Sequence, residues 1–393
     1  MERKILQEAA EKFGTPSYLF DLDRLTRRME TLKKALGSRA ELCYAMKANP
    51  FLTGALRDLA DRFEVCSPGE YDICRRLDIP EEKLVISGVN KSPEDTARMM
   101  DDCPRMGRYT AESPAQLELL HQCASQRKRK VSVLLRLTSG NQFGMDEEEV
   151  RRIVAERAKY PFLDIVGIQQ YSGTQKHSEK RLRRQLSRLD GLISSLREES
   201  GFETRELEYG PGLPVFYFQD DEAFDEEAFL GEFASALADM AFQGHITLEL
   251  GRSIAAECGY YLTAAADCKT NKGQHYVILD GGLHQMNYYG QSMAMRVPTV
   301  YRLRERDGEE TLWNLCGSLC TVNDILVKQL PVKNLQPGDV FVFEKTGAYS
   351  VTEGMALFLS RDLPAVIFWS EKDGFRLLRE RQSVSSLNTP SFC

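Results

Sequence analysis

Between residues 41 and 251 the chain repeats one rhythm: a short apolar run, then a longer stretch with a period near 3.6 residues. Eight such runs can be counted: ELCYAM, RFEVC, LVIS, GRYT, VSVLLRL, DIVGIQQ, ELEY and ITLEL. The helical patterns between them include Pro68–Leu77, Ser92–Asp102, Ser113–Cys123, Asp146–Lys159, Glu179–Glu199 and Asp221–Phe242. Ser92 before Pro93 and Glu94, and Ser113 before Pro114, supply side-chain acceptors where the first amides of a helix need them. Eight strands each followed by a helix is the count of a (β/α)8 barrel, an α/β fold.

After about residue 262 the rhythm changes to YVILD, TLWNLC, DILVKQL, DVFVFEK and AVIFW. Turns at Asn271–Gly273, Asp307–Gly308, Pro337–Gly338 and Asp373–Gly374 separate these runs. A C-terminal, mostly antiparallel β domain is expected. The division drawn is 23–262 for the barrel, with 1–22 and 263–393 in the β domain. The final residues, SVSSLNTPSFC, are expected to be loose.

A chain of 393 residues suits two domains. Its net charge of −7 is spread over mixed acidic and basic helices without a basic stripe, which argues against a nucleic-acid partner. The opening MERKILQEAAEKFG is too charged for a secretory signal and no window is apolar enough to span a membrane, so a cytoplasmic protein is expected. Ten scattered cysteines without CxxC pairs or histidine partners suggest reduced thiols, not a metal site or a disulfide framework.

A barrel of this kind builds its active site at the C-terminal ends of its strands. Strand one ends in Lys47-Ala48-Asn49, strand two in Ser67-Pro68-Gly69-Glu70, and strand three in Gly88-Val89-Asn90-Lys91. Strand six ends in Tyr171-Ser172-Gly173-Thr174-Gln175, strand seven in Gly210-Pro211-Gly212, and strand eight in Glu249-Leu250-Gly251-Arg252. The glycine turns could bring backbone amides against a phosphate, although a Gly-Pro-Gly is more often a plain turn. Lys47, shielded at a strand mouth, could have its pKa lowered until it attacks an aldehyde. A surface lysine capping a strand end is the alternative at this point.

In order along the chain stand GTPSYLFDLDRL (14–25), YAMKAN (44–49), EVCSPGEY (64–71), SGVNKS (87–92), NQFGM (141–145) and GIQQYSGTQ (167–175). ELGR (249–252), LDGG (279–282), GSLCTVND (317–324) and TGAYS (346–350) follow. This series resembles the fold-type III pyridoxal-phosphate decarboxylases, the group of diaminopimelate, ornithine and arginine decarboxylases.

The resemblance implies pyridoxal 5′-phosphate as cofactor and a homodimer with shared active sites. It makes Lys47 the residue that carries the cofactor as a Schiff base and Glu249 the partner of the ring nitrogen. Glu64 is expected near the lysine, and Tyr171, Gly173, Thr174, Gly210, Gly212, Gly251, Arg252 and Tyr349 around the cofactor and its phosphate. Cys320 of the partner subunit would return a proton to the carbon that loses carbon dioxide, and Asp324 would meet the distal group of the substrate. A buried structural thiol is the other reading of Cys320.

Two departures stand out. Gln169 and Tyr171 occupy positions where the family usually has histidine, and Pro211 replaces the middle of three glycines, removing one amide hydrogen. The segment GGLHQMNYYGQSMAMRVP (281–298) is more similar to a secondary-metabolism branch that decarboxylates carrier-bound or conjugated amino acids. His284 and Arg296 are its candidate substrate contacts, with solvated loop positions as the alternative. The function implied is decarboxylation of an amino acid or amino-acid conjugate by a small-molecule or carrier-tethered route. A racemase on the same fold and a non-catalytic binding relative are the rivals.

Overall fold

The computed structural model describes residues 1–288 and 294–391. Contacts divide the chain into two compact units. One comprises Arg28–Pro214 and Phe224–Ser253; the other comprises Met1–Arg27, Val215–Ala223 and the residues from Ile254 onward.

After α1 (Arg3–Phe13), β1 (Ser17–Asp21) and α2 (Leu22–Leu36), the strands β2 (Glu41–Ala45), β3 (Arg62–Val65), β4 (Leu84–Ile86) and β5 (Arg108–Ala111) begin a barrel. It continues through β6 (Val131–Arg136), β7 (Leu163–Tyr171), β8 (Glu206–Gly210) and β9 (His245–Leu250) and is closed. Closure pairs β2 with β9 in parallel, from Glu41 opposite Thr247 to Tyr44 opposite Leu250. All eight apolar runs form these strands, because a parallel strand covered on both faces needs a nearly continuous apolar sequence.

The intervening helices are α3 (Pro68–Arg76), α4 (Pro93–Asp102), α5 (Pro114–Gln126), α6 (Glu147–Ala155), α7 (Glu179–Ser200) and α8 (Glu226–Ala238). Ser67, Ser92 and Ser113 each accept a backbone amide at the start of a helix, from Glu70, Asp95 and Gln116. A proline stands at the first helical position in all three.

The expected pairing of every strand with a helix fails at both ends of the barrel. After β2 come only 3-10 turns, Met46–Ala48 and Pro50–Leu52. Asn49 between them is held extended by the following proline, with φ −167° and ψ 100°, which stops a helix from propagating. After β9 the helix α9 (Arg252–Ala255) has one turn. The pattern read as Asp221–Phe242 shortens to α8, whose first free amide, at Ala228, is taken by Asp225 at 2.9 Å. The pattern read as Asp146–Lys159 breaks into α6 and a 3-10 turn, Arg157–Lys159.

The other unit is built on β10 (Gly259–Asn271), β11 (Gln274–Leu279), β12 (Val300–Arg302), β13 (Glu310–Cys316) and β14 (Ile325–Lys333). β15 (Val340–Glu344), β16 (Ala365–Ser370) and β17 (Gly374–Arg379) complete it. The order is β14-β13-β11-β10-β1-β16-β17, with β15 pairing β10 and β12. Pairing is antiparallel except for β1 with β16 and β11 with β13. Lys272 and Gly273, at φ 50° and 76°, make the tight turn of the β10–β11 hairpin. Leu6 and Ala9 of α1 pack with Leu19, Tyr260, Leu262, Val342 and Ile367 in the core. Cys393 and part of the 281–298 segment lie outside the described residues.

Candidate active site

Four strands aim acids or a thiol into the barrel. Burial pushes the Cys43 thiol on β2 far up, and the carboxylates of Glu208 on β8, Glu249 on β9 and Glu64 on β3 press in the same direction. Groups from four strands act on one another only if they share the barrel interior.

Lys47 stands on the 3-10 turn that follows β2. Its Nζ lies 2.5 Å from Glu64 Oε2 and 3.8 Å from Cys66 Sγ. The lysine side chain is 45% exposed and that of Glu64 only 3%. Burial opposes the ammonium charge, yet Glu64, Cys66 and Glu249 hold its pKa well above the ordinary lysine value. The expected lowering of the amine is therefore reversed, because two carboxylates share its pocket. Burial likewise opposes the charge on Glu64, and the ammonium beside it wins and keeps that carboxyl low.

Glu249 is buried and accepts a hydrogen bond from Gln169 Nε2 at 2.6 Å. Burial and the charge of Glu64 raise its pKa, while Lys47 and Gln169 pull the other way. Glu208 is raised well above the ordinary glutamate value, by burial and by the charge of Glu249. A carboxylate kept desolvated in this way gains most from a positively charged aromatic N–H, which is the chemistry required to hold a pyridine ring protonated.

Glycines open the space beside this row. A Cβ at Gly210 would meet the Tyr171 ring at 2.4 Å, so the tyrosine lies directly over that backbone. A Cβ at Gly212 would meet the Gly173 carbonyl at 2.1 Å, which stacks the turn after β7, with Thr174, on the turn after β8. A Cβ at Gly251 would crowd Ala48 and Ala45 next to Lys47, and Arg252 follows it at the start of α9. Closely packed glycine turns, which let successive backbone amides approach a ligand, fit a phosphate. The residues present therefore fit a phosphorylated pyridine aldehyde.

In the other unit, three loops are tied together. Ser318 N donates to Gly281 O at 2.8 Å, and Asn287 N donates to Ser350 Oγ at 3.2 Å. Cys320 sits exposed on the loop between β13 and β14, which removes the buried structural reading of this thiol. Asp324 is 2% exposed, and its two carboxylate oxygens accept the amides of Leu283 at 2.7 Å and Leu319 at 2.8 Å. This carboxylate, expected to meet a substrate's distal group, holds two loops together.

Tyr349 adopts φ 67°, the left-handed region that a bulky residue enters at a cost of about 1–2 kcal/mol. His284 is buried, and among the described residues neither ring nitrogen has a hydrogen-bond partner. Burial and the nearby Arg361 pull its pKa down to about 4, so the ring is neutral rather than solvated. Arg296 is engaged by Asp220 at 2.7 Å and Asp221 at 2.8 Å and lies over the Phe218 ring.

Several residues of the site escape a reading by motif. Cys66 touches both Lys47 and Glu64. Glu208 lies buried among the acids, and Arg136 is paired with Glu112 at 2.7 Å; Gln169, singled out by its motif, holds Glu249. Their common signal is a polar residue at an inward position of an otherwise apolar strand, which no burial-driven reading would keep without a purpose.

A lysine amine on the turn after one strand and a desolvated acid on the neighbouring strand of a closed barrel fit an enzyme that works through a bound aldehyde cofactor. Residues 22–256 match the family described as pyridoxal-dependent decarboxylase, pyridoxal binding domain, and the chain belongs to that family. It is 26% identical over 405 residues to the diaminopimelate decarboxylase of Aquifex aeolicus, covering 98% of this chain and 94% of that one. It is 25% identical over 409 residues to the L-glutamyl-[BtrI acyl-carrier protein] decarboxylase of Niallia circulans, covering 96% and 94%. The crystal structure of diaminopimelate decarboxylase from Methanocaldococcus jannaschii in complex with L-lysine has the same fold. Its TM-score is 0.87 at 22% identity, over 98% of this chain and 94% of that one. Both sequence relatives named here are decarboxylases, and neither supports the racemase reading.

Proposed function

We propose that this protein removes the α-carboxylate of an amino acid whose far end is conjugated, using pyridoxal phosphate on Lys47. The observation that carries the reading is the row Lys47–Glu64–Glu249, a half-exposed amine held against two buried carboxylates at the end of one barrel. When bound, the cofactor supplies a protonated ring that accepts the electrons released as carbon dioxide leaves.

The chain's own residues do the rest. In the cofactor-free chain Lys47 is an ammonium whose Nζ donates to Glu64 Oε2 at 2.5 Å, so Glu64 orients the amine and the proton must leave to solvent before the amine can attack. Glu249 holds the proton on the ring nitrogen, with Gln169 fixing its carboxylate. The Tyr171 ring, set over Gly210, offers a flat face for stacking where a histidine would add charge. Cys320 of the partner subunit gives the returning proton to the substrate carbon; its exposure on a loop tip supports that role.

A conjugated far end is supported by the loop that carries Cys320. Its side chains Thr321, Val322 and Asn323 are uncharged, and Asp324 is already bound to backbone. A free distal ammonium would find no available acid there. The relative named for an acyl-carrier-bound glutamyl substrate is in keeping with this. The homodimer is supported by exposed apolar side chains on one loop, Met355, Leu357, Phe358 and Leu359, with Val322 82% exposed on another. No helix among the described residues is long and apolar enough to cross a membrane. We place the enzyme in the cytoplasm because its described cysteines are all free thiols.

The test is to load the purified protein with pyridoxal phosphate and offer free, N-acylated and carrier-bound amino acids, with products read by mass and carbon dioxide measured. Release from conjugates above free diamino acids is expected. Lys47→Ala should abolish both the cofactor colour and turnover. Turnover retained in that variant would defeat the mechanism, and preference for free diaminopimelate would defeat the substrate assignment.

A further inference from the structure

Lys176 has no place in the chemistry above, and its surroundings are unusual. It follows Gly173, Thr174 and Gln175, and Gln175 takes a left-handed φ of 56°. That turn folds the chain so that the Lys176 amide donates to Gly212 O at 2.9 Å, on the turn after β8. The residue is only 3% exposed. Its ammonium donates to two neutral acceptors, Ser172 Oγ at 2.8 Å and Gln185 Oε1 at 3.1 Å. It also lies 5.6 Å from the centre of the Tyr209 ring, whose hydroxyl donates to the same Gln185 oxygen at 2.8 Å.

Among the described residues no carboxylate forms an ion pair with this lysine. A buried ammonium without a counter-charge is costly and is retained only where something negative repays it. Burial, together with the charge of Arg181, already pulls its pKa down to about 8. The neighbouring turns are those whose glycines fit a phosphate, and Pro211 between Gly210 and Gly212 has no amide hydrogen to give.

We propose that Lys176 is the counter-charge to the cofactor phosphate, a positioning residue acting through Ser172 in place of the donor lost at Pro211. By donating to the Ser172 oxygen, the ammonium turns the hydroxyl hydrogen away from itself and makes it a stronger donor. Its positive field adds to the peptide dipoles of the two stacked turns. The inference rests on the pyridoxal-phosphate reading of the site.

The experiment titrates cofactor-free protein with pyridoxal phosphate and separately with pyridoxal, following the absorbance of the lysine-bound aldehyde. Wild type, Lys176→Met, Lys176→Arg and Ser172→Ala are compared. Lys176→Met should weaken pyridoxal phosphate by roughly tenfold or more, as expected for losing a charge a few ångströms from a dianion. Its affinity for pyridoxal should be unchanged, and Lys176→Arg should recover most of the loss. Ser172→Ala should lose part of the same affinity, and the double variant should lose less than the two losses combined.

Without cofactor, Lys176→Met should melt above wild type at pH 7, since an uncompensated buried charge is gone. The wild-type lysine, lowered to about 8, is neutral in the folded chain while still charged in the unfolded one above that pH. The gap should therefore narrow as pH rises from about 8 toward the ordinary lysine range. Equal weakening of both ligands, undiminished affinity for pyridoxal phosphate, or a cofactor-free variant that melts lower would each overturn the proposal. Failure of the wild type to bind either aldehyde would instead bring down the cofactor reading on which it stands.

Discussion

The barrel and the β unit contribute functional groups by opposite means. In the barrel, Lys47, Glu64, Glu208 and Glu249 are held at strand ends or strand interiors and perturb one another through a shared, desolvated space. In the β unit, Cys320 and Tyr349 stand on loops held by backbone hydrogen bonds, and Asp324, four residues after Cys320, is consumed in holding the Cys320 loop to the one that carries Leu283. The difference separates two tasks: the barrel sets protonation states, and the loops set geometry.

The largest effect that would sharpen this contrast is on the thiol. Cys320→Ala should leave the cofactor colour and cofactor affinity intact while slowing turnover about 10²–10³-fold, the usual contribution of a positioned proton donor. Loss of colour in that variant would show that the two tasks are not separable.

Asp324→Ala comes next. It strands the amides of Leu283 and Leu319, and each unmet buried donor costs about 1–3 kcal/mol. Chemical denaturation should register a loss of about 2–4 kcal/mol, and turnover should fall through loop disorder with the cofactor colour preserved. If stability is unchanged and only the affinity for substrate drops, Asp324 touches substrate after all and the division of labour fails.

The smallest effect belongs to the barrel. Glu208 has a raised pKa in the folded chain, so above the ordinary glutamate range the folded state keeps a proton that the unfolded state has released. Stability contributed by this acid is then lost as pH rises, at up to about 1.4 kcal/mol per pH unit. In cofactor-free protein, Glu208→Gln should flatten the fall in stability as pH rises above the ordinary glutamate range. A slope identical to wild type would mean that the fold does not raise the Glu208 pKa.

The sequence displays the barrel clearly because strands buried on both faces cannot disguise themselves, and helix starts such as Ser92-Pro93 carry their own caps. It displays Lys47 and Glu249 because both fall at strand ends within recognisable motifs. What it conceals depends on distant partners. Asn49-Pro50 stops a helix that the alternation alone would insert. The pKa of Lys47 turns on two acids, one from β3 and one from β9, and periodicity records neither distance. The commitment of Asp324 is to backbone amides, which leave no mark in a string of side-chain letters. Lys176 reads as an ordinary solvent lysine until its neighbours are seen to be neutral.

The assignment of residues 215–223 to the β unit, between barrel residues on either side, carries a consequence for how the protein can be handled. The polypeptide crosses from one unit to the other four times, after Arg27, Pro214, Ala223 and Ser253. No single pair of cuts yields a complete half. A truncated gene spanning the barrel residues would carry a foreign segment without its sheet, and the remainder would be two severed pieces. Neither half can be made as an autonomous fragment, so the two must be inherited, expressed and lost together.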